Sequence, residues 1–288
     1  MEYAALKHPA YKQVIENRSE IQTMRTVLAL CVSALAPFAA YCQPRTIHDA
    51  SSLTTYITQV VPLVIVGDGW SQRVILTNVD DTHPAIGTLQ FFKQNGQPWT
   101  VNLTNNGNGS IFAFSLQPGQ TTIYETVTQQ SSQTLGWALI EENSSGIGDL
   151  LGQTIFRKQT PGQPDFMCSL ILGGQAYQRL TVFFDNTGGK YTGMGILTSQ
   201  VCTFSCDNAD SLRVTVRDFS NNVMSQKTIS QKKGVLYWMN LGADFPETNG
   251  RMGTFVVEPV TMYSTTLTGF SLEFAPNGAF TAITPFEN

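Results

Sequence analysis

Histidine is nearly missing from this chain, and charge is scarce. Of 288 residues only 13% are charged and three are histidine, where a soluble protein usually carries roughly a quarter charged residues. Two histidines lie beyond residue 43, His48 in a polar stretch and His83 beside Pro84. A Ser, Cys or Thr nucleophile needs a positioned base, so a histidine triad lacks its parts. HExxH, GxSxG, GxxxxGK and a helix-opening GxGxxG are all absent from the sequence, which removes the metalloprotease, esterase, nucleotide and dinucleotide readings. Apart from the adjacent pairs Arg157-Lys158 and Lys232-Lys233 the basic residues are scattered singly and the formal net charge is -4, so no nucleic-acid partner and no polybasic membrane patch is expected. No apolar run of the mature chain reaches the roughly 20 residues of a membrane span.

Thr, Ser, Gln, Asn and Gly fill the gap left by charge. After residue 60, β-branched and aromatic residues outweigh helix formers, so strands are expected. Met24-Arg25-Thr26 followed by VLALCVSALAPFAA has the basic start, apolar stretch and small-residue end of an export signal over 24–43. The expected location is therefore extracellular or at the cell surface. Residues 1–23 form a polar extension, read as a start assigned ahead of Met24, and 44–60 a polar leader. Cys202 and Cys206 are close enough in sequence to bridge a small loop in an oxidising compartment. Cys168 reads as a small buried residue.

From there the chain reads as short strands separated by turns. RVILTNV (73–79), IGTLQFF (86–92), WTVNL (99–103), SIFAFSL (110–116), TTIYETV (121–127), LGWALIE (135–141) and QTIFR (153–157) form a first set. Asn95-Gly96, Asn106-Gly107 and Pro118-Gly119 mark reversals. The run KQTPGQPD (158–165) marks a break, and eight more strand-like runs follow, of which SLRVTVRD (211–218) with VMSQKTIS (223–230) is the cleanest hairpin. No helix-length periodic segment intervenes to make crossovers. The expected fold is all-β: two tandem antiparallel β-sandwich, immunoglobulin-like domains at 61–160 and 169–288, joined by a linker at 161–168.

The two sets can be laid on one another. VILTN matches GILTS, IGTLQFFKQNG matches SLRVTVRDFSN, and LGWALIEE matches MGTFVVEP, which suggests a duplicated unit. The pieces Gly67–Asn78, Phe91–Gly96, Leu116–Gln120, Ile155–Arg157, Phe184–Gly189 and Phe274–Thr281 together resemble uncharacterised secreted tandem-repeat β-sandwich proteins of soil bacteria. The resemblance covers roughly residues 60–285 through turn and core motifs, and implies fold and export but no activity. Departures from it are Asp68 for a glycine, Lys232-Lys233 where a Pro-Gly turn is expected, and the Cys202–Cys206 loop.

Chemistry-bearing candidates are few. Glu125, Glu141, Glu142 and Glu258 are carboxylates of the kind a glycosidase pairs, though strand-end solvation explains them more simply. Asp80, Asp81, Asp149, Asp207 and Asp210 form oxygen-rich loops, with calcium the one candidate cofactor at Asp207 and Asp210. Trp70, Trp99 and Tyr191 stand near turns and are the candidates for stacking on a sugar ring, whereas Trp137 and Tyr237 sit mid-strand and are expected in the core. The leading expectation is a non-enzymatic binding or adhesion protein whose partner is a polysaccharide or surface protein. The alternative is a structural subunit of an extracellular assembly whose partners are copies of itself, with the leader adding a strand to a neighbour. A carboxylate-dependent glycoside hydrolase is the weaker third reading.

Overall fold

The computed structural model describes residues 57–127, 132–172, 178–198, 209–260 and 267–285, all within one compact unit, Asp49–Asn288. The extension at 1–23, the signal at 24–43, leader residues 44–56, and Cys202, Cys206 and Asp207 lie outside the described residues.

Among the described residues there are four antiparallel sheets of four strands each, none closed into a barrel. Sheet I has the order β1 (Ile57–Val66), β8 (Thr134–Ile147), β3 (Ala85–Lys93), β6 (Ile111–Leu116). Sheet II runs β10 (Phe166–Leu172), β9 (Leu150–Lys158), β2 (Trp70–Asn78), β7 (Thr121–Glu125). A two-stranded ribbon, β4 (Val101–Leu103) and β5 (Gly107–Gly109), bridges the β3–β6 connection. Sheet III runs β11 (Leu180–Asp185), β16 (Met252–Pro259), β13 (Ala209–Asp218), β14 (Val223–Lys232). Sheet IV runs β15 (Tyr237–Asn240), β12 (Tyr191–Thr198), β17 (Leu267–Phe274), β18 (Phe280–Ile283). With the small ribbon set aside, the strands of each half taken in chain order occupy the same places, sheet III repeating sheet I and sheet IV repeating sheet II.

Each half has a core of its own. Alternation puts Leu89, Phe91 and Ile140 of sheet I against Val74, Leu76 and Tyr124 of sheet II, because side chains on one face of a strand recur every second residue. Val182, Val214 and Phe255 of sheet III likewise meet Met194, Ile196 and Leu267 of sheet IV. At the clean hairpin, Leu212, Val214 and Val216 are fully buried and Arg213 is exposed.

A third apolar cluster joins the halves. Leu63, Trp70, Trp137 and Phe156 pack with Phe270, Leu272 and Phe280, and Trp70 lies 4.7 Å from Phe280, ring centre to ring centre. Sheet IV is therefore apolar on both faces, like any strand set covered on two sides. On its outer face Gly195 makes room for the ring of Phe270, its partner on the neighbouring strand, where a Cβ would come within 2.2 Å of the ring. Leu236 N–H donates to the Gln94 carbonyl at 2.9 Å, tying the β3–β4 reversal of the first half to the β14–β15 turn of the second.

Three expectations are corrected. Residues 166–168 of the expected linker and 169–172 of the expected second domain form β10, hydrogen-bonded along β9 in sheet II. Ile57–Val60, assigned to the leader, pair with β8, so that end of the leader is occupied by its own fold. The match of VILTN to GILTS holds for the strands but slips by one residue in facing. Leu76 enters the first core, whereas Leu197, its match, turns to the outer face and the shared cluster, the flip that a one-residue slip produces in a strand.

Candidate functional site

The aromatic candidates part company. Trp70 is 6% exposed and Trp99 4%, so neither has a ring face free for a ligand: Trp70 packs on Phe280 beneath the Lys158 ammonium, and Trp99 belongs to the first core. This corrects the sequence reading, which took nearness to a turn for nearness to solvent. Tyr191 is 43% exposed and stacked on Phe274, with centroids 4.6 Å apart and planes 10° from parallel.

The carboxylates do not assemble into a catalytic pair. Glu125 is bonded to Arg73 at 2.9 Å, Glu258 to Arg213 at 2.8 Å, and Glu141 accepts from Gln90 Nε2 at 2.7 Å. Glu142 follows Glu141 on the same strand and so points to the opposite face, which prevents the two from flanking one bond. It is 2% exposed and neither carboxylate oxygen has a hydrogen-bond partner of normal geometry. Burial pushes its pKa up to about 7; the Gly148 backbone N–H opposes the rise, and the carboxylates of Asp149 and Asp80 add to it. No counterpart exists in the second half, where the register places Pro259 at that position.

Of the acids expected in loops, Asp80 forms a turn, while Asp210 lies in β13 opposite Gln231. Asp80 Oδ1 accepts from the backbone N–H groups of Thr82 and His83, which holds its carboxyl far below the usual range and closes an Asx-type turn. Asp149 is exposed and its carbonyl accepts from Val79 N–H at 2.7 Å. Asp210 is half-buried. Among the described residues no three His, Cys, Asp or Glu side chains come together as a metal-binding group. Cys168 is free, and burial pushes its thiol up to about 12.

What remains is a surface the sequence reading missed. The outer face of sheet II carries Ile75, Ile123, Leu151, Ile155, Met167 and Ile171, with registers that place Ile123, Ile75, Gln153 and Ile171 in one row across all four strands. Ile123, Leu151, Met167 and Ile171 are each about half exposed. The Arg73–Glu125 pair and Arg157, which is paired with Asp165, lie within this band, Arg73 opposite Ile155 and Arg157 opposite Met167. A depression on it, lined by Arg73, Glu125, Ile155, Arg157 and Met167 among others, has room for about 10 Å³, little more than one water and far short of a small-molecule site. A flat apolar face of this kind is the usual mark of contact with a macromolecule. The signal was present as consecutive apolar residues in Val74-Ile75-Leu76, Ile155-Phe156 and Leu170-Ile171-Leu172, which give a strand two apolar faces.

Comparison with family models, with curated proteins and with solved structures finds no match to this chain.

Proposed function

We propose that this chain is an exported, non-enzymatic interaction protein of two duplicated, immunoglobulin-like sandwich units, acting through contact between protein surfaces. The observation that carries the reading is the exposed apolar outer face of sheet II. The small size of the depression at Ile155 and Met167 and the separate ion pairing of Glu125 and Glu258 favour surface contact over catalysis.

Duplication is supported by the repeated strand order and by one pair of glycines. Gly136 faces Lys93 across β8 and β3, and Gly253 faces Asp218 across β16 and β13. A Cβ on Gly136 would lie 2.1 Å from the Phe92 carbonyl oxygen, and one on Gly253 would lie 2.0 Å from that of Arg217. The immunoglobulin likeness rests on the β2–β7 and β3–β8 pairings, which correspond to the B–E and C–F neighbours of that sandwich. The terminal strands depart from it, since β1 joins β8 and β9 joins β2.

Tyr191 favours a second reading, glycan stacking, through its exposed ring on Phe274. The test is secretion of the full-length chain from a bacterial host, followed by separation of high-mass and free material. Ile123→Lys with Ile171→Lys is expected to shift the protein to the free fraction and Tyr191→Ala to leave it unchanged. The reverse pattern supports the glycan reading. Sugar release from a polysaccharide panel that is lost in Glu142→Gln replaces both with hydrolysis.

A further inference from the structure

We infer that Glu142 is a proton-operated latch: neutral, it stays inside the first half and holds a bulge of β8 and the β8–β9 turn against β3; ionised, it leaves for water and lets that end of the sandwich open. This inference goes beyond the proposed reading and does not depend on it.

The ladder between β3 and β8 breaks beside this residue. Gly87 pairs with Glu142 and Ala85 with Ile147, so residues 143–146 of β8 stand opposite Ile86 alone. That is a large bulge, and bulges interrupt pairing where a strand is re-aimed. Past it the chain returns close against β3, since a Cβ on Gly148 would lie 2.7 Å from the Cβ of Ala85, which is fully buried. Val79 N–H donates to the Asp149 carbonyl at 2.7 Å, so the same turn also anchors the β2–β3 connection.

Glu142 stands at the neck of this bulge with its side chain turned inward. It shares a face of β8 with the core residue Ile140, and its carboxylate is buried with no hydrogen-bond partner of normal geometry. The groups around it offer a charge no support. Gly87 faces it from β3, beneath the Phe114 ring of β6. Gln59, two residues along β1 from its partner Ile57, commits its Nε2 to the Leu150 carbonyl. The β8–β9 turn brings the Gly148 N–H together with the Asp149 carboxylate, and the β2–β3 connection brings Asp80, whose carboxylate lies 3.3 Å from the His83 ring. Both carboxylates oppose a charge on Glu142, and no lysine or arginine among the described residues acts on it.

A buried carboxyl in such surroundings is stabilised by keeping its proton or by reaching water. The first leaves the neck closed. The second requires Glu142 to come out, and what then gives way is local: the Gly148 contact with Ala85, the Val79 bond to Asp149 and the pairing of Ile57 with Glu142. These lie at one end of the first half, so they can open while the rest of its core stays packed. The closed site holds its proton up to about pH 7, whereas a freely exposed carboxyl releases it near 4.5. Closure is therefore favoured in acid and weakens as pH rises to 7. Histidine is the usual sensor in this range; in a chain that nearly lacks histidine, a buried carboxyl takes the task.

The experiment is amide hydrogen exchange of the full-length chain, read by NMR from about pH 4 to about pH 8 and corrected for the intrinsic rate. Protection of the Val79 amide is expected to fall by up to about 300-fold between pH 4.5 and 7, the span between the open and closed pKa values, and then to level off. Urea well below the unfolding transition should leave the Val79 rate unchanged while it speeds the slower amides of residues 89–91 and 138–140, which need global unfolding to exchange. Glu142→Gln has no proton to lose and is expected to keep Val79 protected at every pH. Asp149→Asn changes an exposed side chain only, removes one opposing charge, and is expected to shrink the fall and end it at lower pH. A Val79 protection that does not vary with pH overturns the inference, as does a fall that survives in Glu142→Gln. Val79 exchanging at the rate and with the urea dependence of the core amides overturns it too, because Glu142 then acts on global stability alone.

Discussion

The indole Nε1–H of Trp137 donates a 3.0 Å hydrogen bond to the carbonyl of Gly234, so a buried side chain of the first half closes a turn of the second. Trp137 also stacks on Phe92, with centroids 4.2 Å apart, inside the cluster that both halves share. Separating the halves would expose that cluster to water at a cost of about 25 cal/mol for each Å² of apolar surface. The two halves are therefore expected to unfold together.

A single thermal transition follows, seen by calorimetry as equal calorimetric and van't Hoff enthalpies. Gly136→Ala and Gly253→Ala lie in different halves, and each drives a Cβ into a carbonyl oxygen. Both should lower the midpoint of that one transition. Two transitions, each responding to one substitution, would show that the halves melt independently.

Gln72 is the polar pin of the first core. Its Oε1 accepts from Ile65 N–H at 3.0 Å, and its Nε2 donates to the Leu63 carbonyl at 2.8 Å and to Thr154 Oγ1 at 2.6 Å. Those backbone groups belong to β1, the end strand of sheet I, at and just after the register shift between Val61 and Val64. Gln72→Leu keeps the volume and strands a buried donor and acceptor, at roughly 1–3 kcal/mol each. Urea denaturation should show a loss of about 2–6 kcal/mol with an unchanged m-value.

Glu142 gives a pH dependence of definite sign. Its pKa is about 7 in the folded protein against an ordinary 4.5, so the folded state holds the proton more tightly than the unfolded chain. Its contribution is fully present below about pH 4.5 and declines as pH rises through 7, with a total loss of up to about 3 kcal/mol. Glu142→Gln mimics the protonated form. The variant should melt with the wild type near pH 4.5 and several degrees above it at pH 8. Equal melting at both pH values would mean that the carboxylate finds a partner when charged.

Cys168 should resist alkylation. Iodoacetamide acts on thiolate, and the Cys168 thiol is pushed up to about 12 by burial. Peptide mapping after treatment at pH 8 is expected to find it unmodified in the folded protein and modified after denaturation.

Strand identity was legible because period-2 alternation and turn chemistry are local. Leu212, Val214 and Val216 announced their face, and Asn95-Gly96 its reversal, where Gly96 takes a φ of 83°. β1 was missed because Pro62 interrupts its run, and the bulge that tolerates it is held by Gln72 from the other sheet, a contact sequence order cannot reveal. β10 was hidden by the Pro and Gly of the preceding turn. Trp70 and Trp99 stand near turns yet point inward, since burial is decided by what packs over a turn. The outer face of sheet II was written in doubled apolar residues, but the same doubling in sheet IV is covered, and only the assembled halves distinguish the two.

The most direct test of the central claim, that the outer face of sheet II is the working surface, is site-specific photo-cross-linking in cells making the full-length chain. A benzophenone amino acid replaces Ile171, and in a parallel strain Ile111, an exposed isoleucine on β6 of sheet I. Cross-linked high-mass species from position 171 and none from position 111 are predicted. Equal cross-linking at both positions, or none at 171, would contradict the account.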